Sequence, residues 1–155
     1  MEIRKPFVKD LPRIEQILNQ WTEQSEVEKY LARISDEISG KVEYNTRFWV
    51  ICNNDIVVGL GGLSDTLPKV LHLAKTENSI EIKVLYLDNE LRGKGYGAEL
   101  LRFLEDESLK TGHKEVIIRS AIRYRDSAYG FYRHKGYDLV GYVDGDMAVF
   151  RKMLN

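Results

Sequence analysis

The stretch Ile80-Glu-Ile-Lys-Val-Leu-Tyr-Leu87, followed after Asp88-Asn-Glu90 by Leu91-Arg-Gly-Lys-Gly-Tyr-Gly-Ala98, decides how this chain folds. Its first part belongs to a run of strand formers over residues 79–87. That run loses polarity in its second half, as a central strand does. After the glycines, Leu100, Leu101, Leu104 and Leu109 recur at helical spacing over residues 97–110, and Thr111-Gly112 closes the helix. Gly93, Gly95 and Gly97 therefore sit at a strand-to-helix junction, flanked by the cations Arg92 and Lys94. A helix N-terminus has unpaired amides and a partial positive charge, and glycine lets that backbone approach an anion closely. The segment reads as a diphosphate cradle, with a tight packing turn as the alternative. Two common nucleotide templates fail. The dinucleotide fingerprint needs its third glycine one residue later and an early strand, and the Gly-x-x-x-x-Gly-Lys-Ser/Thr loop is absent.

Working outward, residues 2–8 suit a first strand with Ile3, Phe7 and Val8 as apolar members. Asp10 is placed to cap a helix carrying Ile14, Ile17, Leu18 and Trp21, and Pro12 suits its first turn. Ser25-Glu-Val-Glu resembles a capping box for a second helix that Gly40 ends. Residues 47–52 and 56–63 form a hairpin around Asn53-Asn54-Asp55. Residues 66–78 read as a loop or excursion of that hairpin. Downstream come a strand at 115–121, a helix at 126–135 begun by Asp126 and stopped by Gly136, and strands at 137–142 and 147–154 around Asp144-Gly145-Asp146. The order β-α-α-β-β-β-α-β-α-β-β predicts an α/β chain with a mixed sheet, expected as one domain over residues 1–155 with no repeat or linker.

Composition narrows the classes. Hydrophobic residues make up 43% and charged residues 30% of 155, enough apolar content for a real core. The formal net charge of −1 gives no general push toward nucleic acid or anionic membrane. Cys52 is the single cysteine, so no intramolecular disulfide forms. No apolar run approaches membrane-spanning length and the first residues lack a signal-like core, so the expectation is a cytoplasmic protein. No metal-ligand spacing is present.

Arg92-Gly-Lys-Gly95-Tyr-Gly97 matches the Arg/Gln-x-x-Gly-x-Gly/Ala motif of the GNAT N-acetyltransferase family. Downstream, Ala128-Tyr-Gly-Phe131-Tyr132-Arg-His-Lys-Gly136-Tyr137 is similar to that family's Ala-x-x-Phe-Tyr-x-x-x-Gly-Phe/Tyr. One helix and one strand separate the two motifs, as in the family, and the order of elements also fits. The resemblance implies the acyl-CoA N-acyltransferase fold, with about seven strands flanked by helices and a splayed central pair. It also implies acetyl-CoA as co-substrate and an amine acceptor, on a small molecule or on a peptide or protein. Leu85, Tyr86 and Leu87 would pair with the pantetheine arm. Arg92, Gly93, Lys94, Gly95, Tyr96, Gly97 and Ala98 would hold the pyrophosphate, with Arg125 and Ser127 as further coenzyme contacts. The family often has Asn where this chain has Arg125. Homodimers are common in the family, so a homodimer is an expectation by analogy.

Within the resemblance Tyr132 is the general acid that protonates the departing thiolate. A phenol suits this because its ordinary pKa near 10 keeps it protonated at neutral pH. Glu81, eleven residues before Arg92, is the candidate base that takes a proton from the attacking amine, either directly or through water. A strand-end charge is the plainer reading of Glu81, and a core aromatic that of Tyr132. Cys52 reads as a buried strand residue. Trp21, Tyr30, Tyr44, Phe48, Trp49, Tyr124 and Tyr142 lie in the segments that set the acceptor in this family, but they identify none. The acidic Asp144 and Asp146 suit a cationic amine or simply a polar turn. A non-catalytic acyl-CoA-binding module of the same fold is the alternative function.

Overall fold

The computed structural model describes residues 1–155. Its elements follow the expected order. They are β1 (Glu2–Arg4), α1 (Leu11–Trp21), α2 (Gln24–Ile38), β2 (Arg47–Asn53), β3 (Ile56–Asp65), β4 (Ser79–Leu87), α3 (Tyr96–Lys110), β5 (Glu115–Ser120), α4 (Ala128–His134), β6 (Asp138–Val143) and β7 (Met147–Met153). The seven strands are arranged β1-β2-β3-β4-β5-β7-β6. β4 and β5 are parallel, whereas β1 with β2, β2 with β3, β5 with β7 and β6 with β7 are antiparallel. The sheet is therefore mixed, as the interleaved hairpin and helices require. The residues divide into two compact units, Met1–Ser64 with Val84–Leu104 and Asp65–Lys83 with Glu105–Asn155, so β4 and α3 contribute residues to each.

In the first unit, α1 turns Ile14, Ile17 and Leu18 to one side, and all three are fully buried. They pack with Val27 and Ile34 of α2 against Phe48 and Val50 of β2, Leu60 of β3 and Val84 of β4. Each such side chain contributes about 1.5–3 kcal/mol by leaving water. The β2–β3 hairpin turns through Asn54 and Asp55 at φ 51° and 66°. Positive φ at both central residues gives the turn whose twist matches the strands, and Asn and Asp tolerate it. Gly61 has a packing reason. A Cβ there would lie 3.0 Å from Leu104 and 3.2 Å from Leu100, so the missing side chain lets α3 approach β3.

In the second unit, Ile117 of β5, Val143 of β6 and Val149 of β7 form a cluster with Val70. Val70 comes from the 66–78 segment, which contains the 3₁₀ helix Pro68–Leu73. Three groups fasten that segment. The fully buried Glu115 carboxylate accepts from the amides of Lys75 at 3.0 Å and Thr76 at 2.5 Å, and from the Thr76 hydroxyl at 2.7 Å. Glu81 accepts from the Leu67 amide at 3.3 Å, and Arg151 donates to the Leu73 carbonyl at 2.9 Å. Asp144 pairs with Lys69, which gives this turn acid a partner inside the protein.

Local capping differs from the sequence expectation at three places. β1 stops at Arg4, before Pro6, and Phe7 and Val8 are exposed. Asp10 precedes α1, but its carboxylate accepts from the Phe7 amide at 2.7 Å and from Arg4 at 2.8 Å instead of capping α1. α2 starts one residue early, after Glu23, which leaves Ser25 inside its first turn with no capping bond. α4 starts at Ala128 after Ser127, because residues 122–127 are taken up by turns, including the Ser127 amide bond to the Tyr124 carbonyl at 3.1 Å. Asp126 is therefore not a cap and forms an exposed pair with Arg125.

Gly61→Ala is expected to cost about 1–3 kcal/mol through overpacking against Leu100 and Leu104. Urea denaturation should show a lower midpoint with an unchanged slope.

Candidate active site

The backbone at the end of β4 is the first part of the site. The Asp88 amide donates to the Val58 carbonyl of β3 at 2.8 Å. A trans peptide points its C=O opposite its N–H, so the Leu87 carbonyl faces away from β3. Strand alternation gives the Leu85 backbone groups and the Leu87 amide the same direction, whereas the Tyr86 carbonyl lies toward Gly59 of β3. The three expected pairing residues are thereby divided: Leu85 and Leu87 present backbone groups on the open side, and Tyr86 does not.

α1 holds this strand end. The Trp21 indole N–H donates to the Leu87 carbonyl at 2.6 Å. Its ring stacks on Tyr86, with centroids 6.1 Å apart and planes 4° from parallel. The Arg92 guanidinium lies 4.4 Å from the Trp21 ring centroid, in cation–π range. Below it, Asp88 accepts from Arg13 at 2.6 Å, Gln20 at 3.4 Å and the Glu90 amide at 3.1 Å. The Asn89 amide donates to Gln20 at 2.8 Å. The Arg13 hydrogen bond, aided by the Glu90 amide, holds the Asp88 carboxyl below the usual range.

The glycine segment leaves this anchored turn directly. Gly93 and Gly95 have φ of 78° and 86°, a conformation costly for residues with a Cβ, and a Cβ at either would meet nothing within 4 Å. The first bond of α3 runs from the Glu99 amide to the Gly95 carbonyl at 3.1 Å. The amides before it are the unpaired donors of the helix start, and Arg92 and Lys94 beside them are exposed. This geometry fits an anionic ligand approaching the backbone closely.

In the second unit, Glu81 is 1% exposed. Arg119 donates to one of its oxygens at 2.8 Å, and the Leu67 amide to the other at 3.3 Å. It is thus a buried, ion-paired carboxylate and not a strand-end charge in solvent. Tyr132 is also buried, with ring centroids of Phe150, Phe131 and Tyr137 at 5.6, 5.7 and 6.1 Å. Three tyrosines of this region are buried, and their hydroxyls differ. Tyr129 donates to the Ser120 carbonyl at 3.1 Å and Tyr137 to Glu105 at 2.7 Å. The Tyr132 hydroxyl makes no hydrogen bond inside the protein and remains free for a ligand. Burial pushes its pKa well above the ordinary value of 10, so it stays protonated. Arg125 and Ser127 are exposed, with the Ser127 hydroxyl 3.4 Å from the Tyr124 carbonyl.

The model of the acetyltransferase (GNAT) family matches residues 11–137 of this chain. The chain belongs to that family. Among solved structures, a GNAT-family protein from Desulfovibrio desulfuricans shares 14% identity over 99% of each chain with a TM-score of 0.82. The PaiA N-acetyltransferase from Thermoplasma acidophilum, solved with coenzyme A, shares 19% over 98% of each chain at 0.72. The protein yncA from Salmonella typhimurium, solved with acetyl-CoA, shares 19% over 100% of this chain and 94% of its own at 0.71. No curated protein matches the sequence. At these identities the solved structures establish the fold of a GNAT chain, with its seven-strand mixed sheet.

Sequence reasoning about this GNAT chain missed Trp21, Gln20 and Arg13 as the anchors of the glycine turn, and Arg119 as the partner of Glu81. Trp21 and Arg13 occupy ordinary helix positions, and no local pattern links them to residues 87–92. Cys52 lies buried in β2, as expected, and burial raises its thiol pKa.

Asp88→Asn is expected to lose about 1–2 kcal/mol at pH 7, from its charge-assisted bond to Arg13. The folded pKa of Asp88 is depressed, so this contribution is complete above the ordinary carboxylate value of about 3.9 and fades as pH falls below it. Denaturation of both proteins from pH 7 to pH 3 should show the stability gap closing on the acid side.

Proposed function

We propose that residues 1–155 act as one N-acetyltransferase domain that moves the acetyl group of acetyl-CoA to an amine by direct attack. The observation that carries this reading is the free hydroxyl of Tyr132 on an otherwise buried ring, in a chain of this family. The backbone groups of Leu85 and the Leu87 amide hold the pantetheine arm, and the side chain of Tyr86 supports them. The amides of residues 92–98, with Arg92 and Lys94, hold the pyrophosphate. Arg125 and Ser127 contribute on the α4 side.

In the reaction the neutral amine nitrogen forms a bond to the thioester carbon as the carbon–sulfur bond breaks. Tyr132 gives its proton to the departing sulfur. Glu81, ion-paired with Arg119, takes the proton released by the amine through water, using lone pairs that Arg119 and Leu67 leave open. Proton count balances: one leaves the amine and one reaches the thiol.

Thiol release from acetyl-CoA across a panel of amines, peptides and proteins tests the reading. Turnover with some acceptor supports the enzyme, whereas coenzyme binding with none favours the non-catalytic module. Tyr132→Phe should lower kcat at least about 10-fold and leave coenzyme A affinity within about twofold. Unchanged kcat would remove the acid role. Glu81→Gln keeps an acceptor for the Leu67 amide, and it should cut kcat/KM by about 10- to 100-fold with little loss of fold. A folded Glu81→Gln protein with full activity would make Glu81 a fastener of the 66–78 segment only.

A further inference from the structure

We infer that Trp21 is a positioning residue that sets the register in which the coenzyme arm pairs with β4. The inference rests on the acetyl-CoA reading above. On the side of β4 facing away from β3, the end of the strand presents the Leu85 amide and carbonyl and the Leu87 amide and carbonyl. The indole N–H of Trp21 takes the last of these, the Leu87 carbonyl, at 2.6 Å. An extended ligand carrying amides must then end its pairing at the Leu87 amide. Without the indole, the Leu87 carbonyl becomes a second acceptor two residues along. A ligand amide can then bind there as well as at Leu85, a slip of two residues or about 7 Å.

The same ring ties this register to the anion-binding turn. Arg92 lies over Trp21 at 4.4 Å, and Tyr86 stacks on it. One side chain from α1 therefore touches the strand carbonyl, the strand ring and the first cation of the glycine segment. An arm in the correct register brings its diphosphate to that segment; a slipped arm does not.

Phenylalanine at position 21 keeps an aromatic ring for Tyr86 and Arg92 while removing the N–H together with the fused second ring. Calorimetric titration of wild type and Trp21→Phe with coenzyme A and with adenosine 3′,5′-bisphosphate, which lacks the arm, separates the two functions of the ring. Trp21→Phe should bind coenzyme A about 3- to 10-fold more weakly, with the bisphosphate affinity within about twofold of wild type. Equal coenzyme A affinity would overturn the inference, as would an equal loss for both ligands, which is the mark of general loosening. Failure of the wild-type protein to bind coenzyme A would overturn the proposed function itself, whereas binding without a Trp21→Phe effect overturns this inference alone.

Discussion

The bonds made by β4 change along its length, and most of the site follows from that change. Its first residues, Ser79–Ile82, pair in parallel with Glu115–Ile118 of β5. At its end, the Asp88 amide is fixed to β3 and the Leu87 carbonyl is fixed to Trp21. Because a peptide unit points its two polar groups in opposite directions, those two bonds orient every backbone group between Leu85 and Asp88. The glycine segment then starts from a fixed point. The direction of the unpaired amides at the start of α3 depends on that point as much as on the glycines.

Buried carboxylates do the fastening around this strand. Asp88 gathers Arg13, Gln20 and the Glu90 amide at the strand end. Glu115 gathers the backbone of Lys75 and Thr76, and Glu81 joins Arg119 to the Leu67 amide. Such a group is costly to bury unless its oxygens are satisfied, and satisfied it fixes several donors at once. The 66–78 segment is the clearest result. Two carboxylates and Arg151 hold its backbone so that Val70, with Leu67, Leu73 and Ala74, packs against Ile117, Val143 and Val149.

The elements were readable because their signals are local. The β4 run, the leucines of α3 and the Asn54-Asp55 turn each follow from neighbouring residues, and the structure places all of them as expected. Caps were less readable. Asp10, Ser25 and Asp126 each have the right residue type before a helix, but a competing partner or an earlier turn changes what the side chain does. Hydroxyl availability was not readable at all. Tyr129, Tyr132 and Tyr137 fall within nine positions, and only their partners in space, Ser120 and Glu105, show which hydroxyl is left free.

The sequence by itself determined the family, the strand-glycine-helix junction and the tyrosine motif, because these are runs of adjacent residues whose backbone demands are met locally. Tertiary structure alone decided that Trp21 reaches Leu87, 66 positions away, and that Arg119 reaches Glu81, 38 positions away. The reason is physical. A lone indole N–H or guanidinium carries no sequence signal for its acceptor, and only the path of the chain brings the two together.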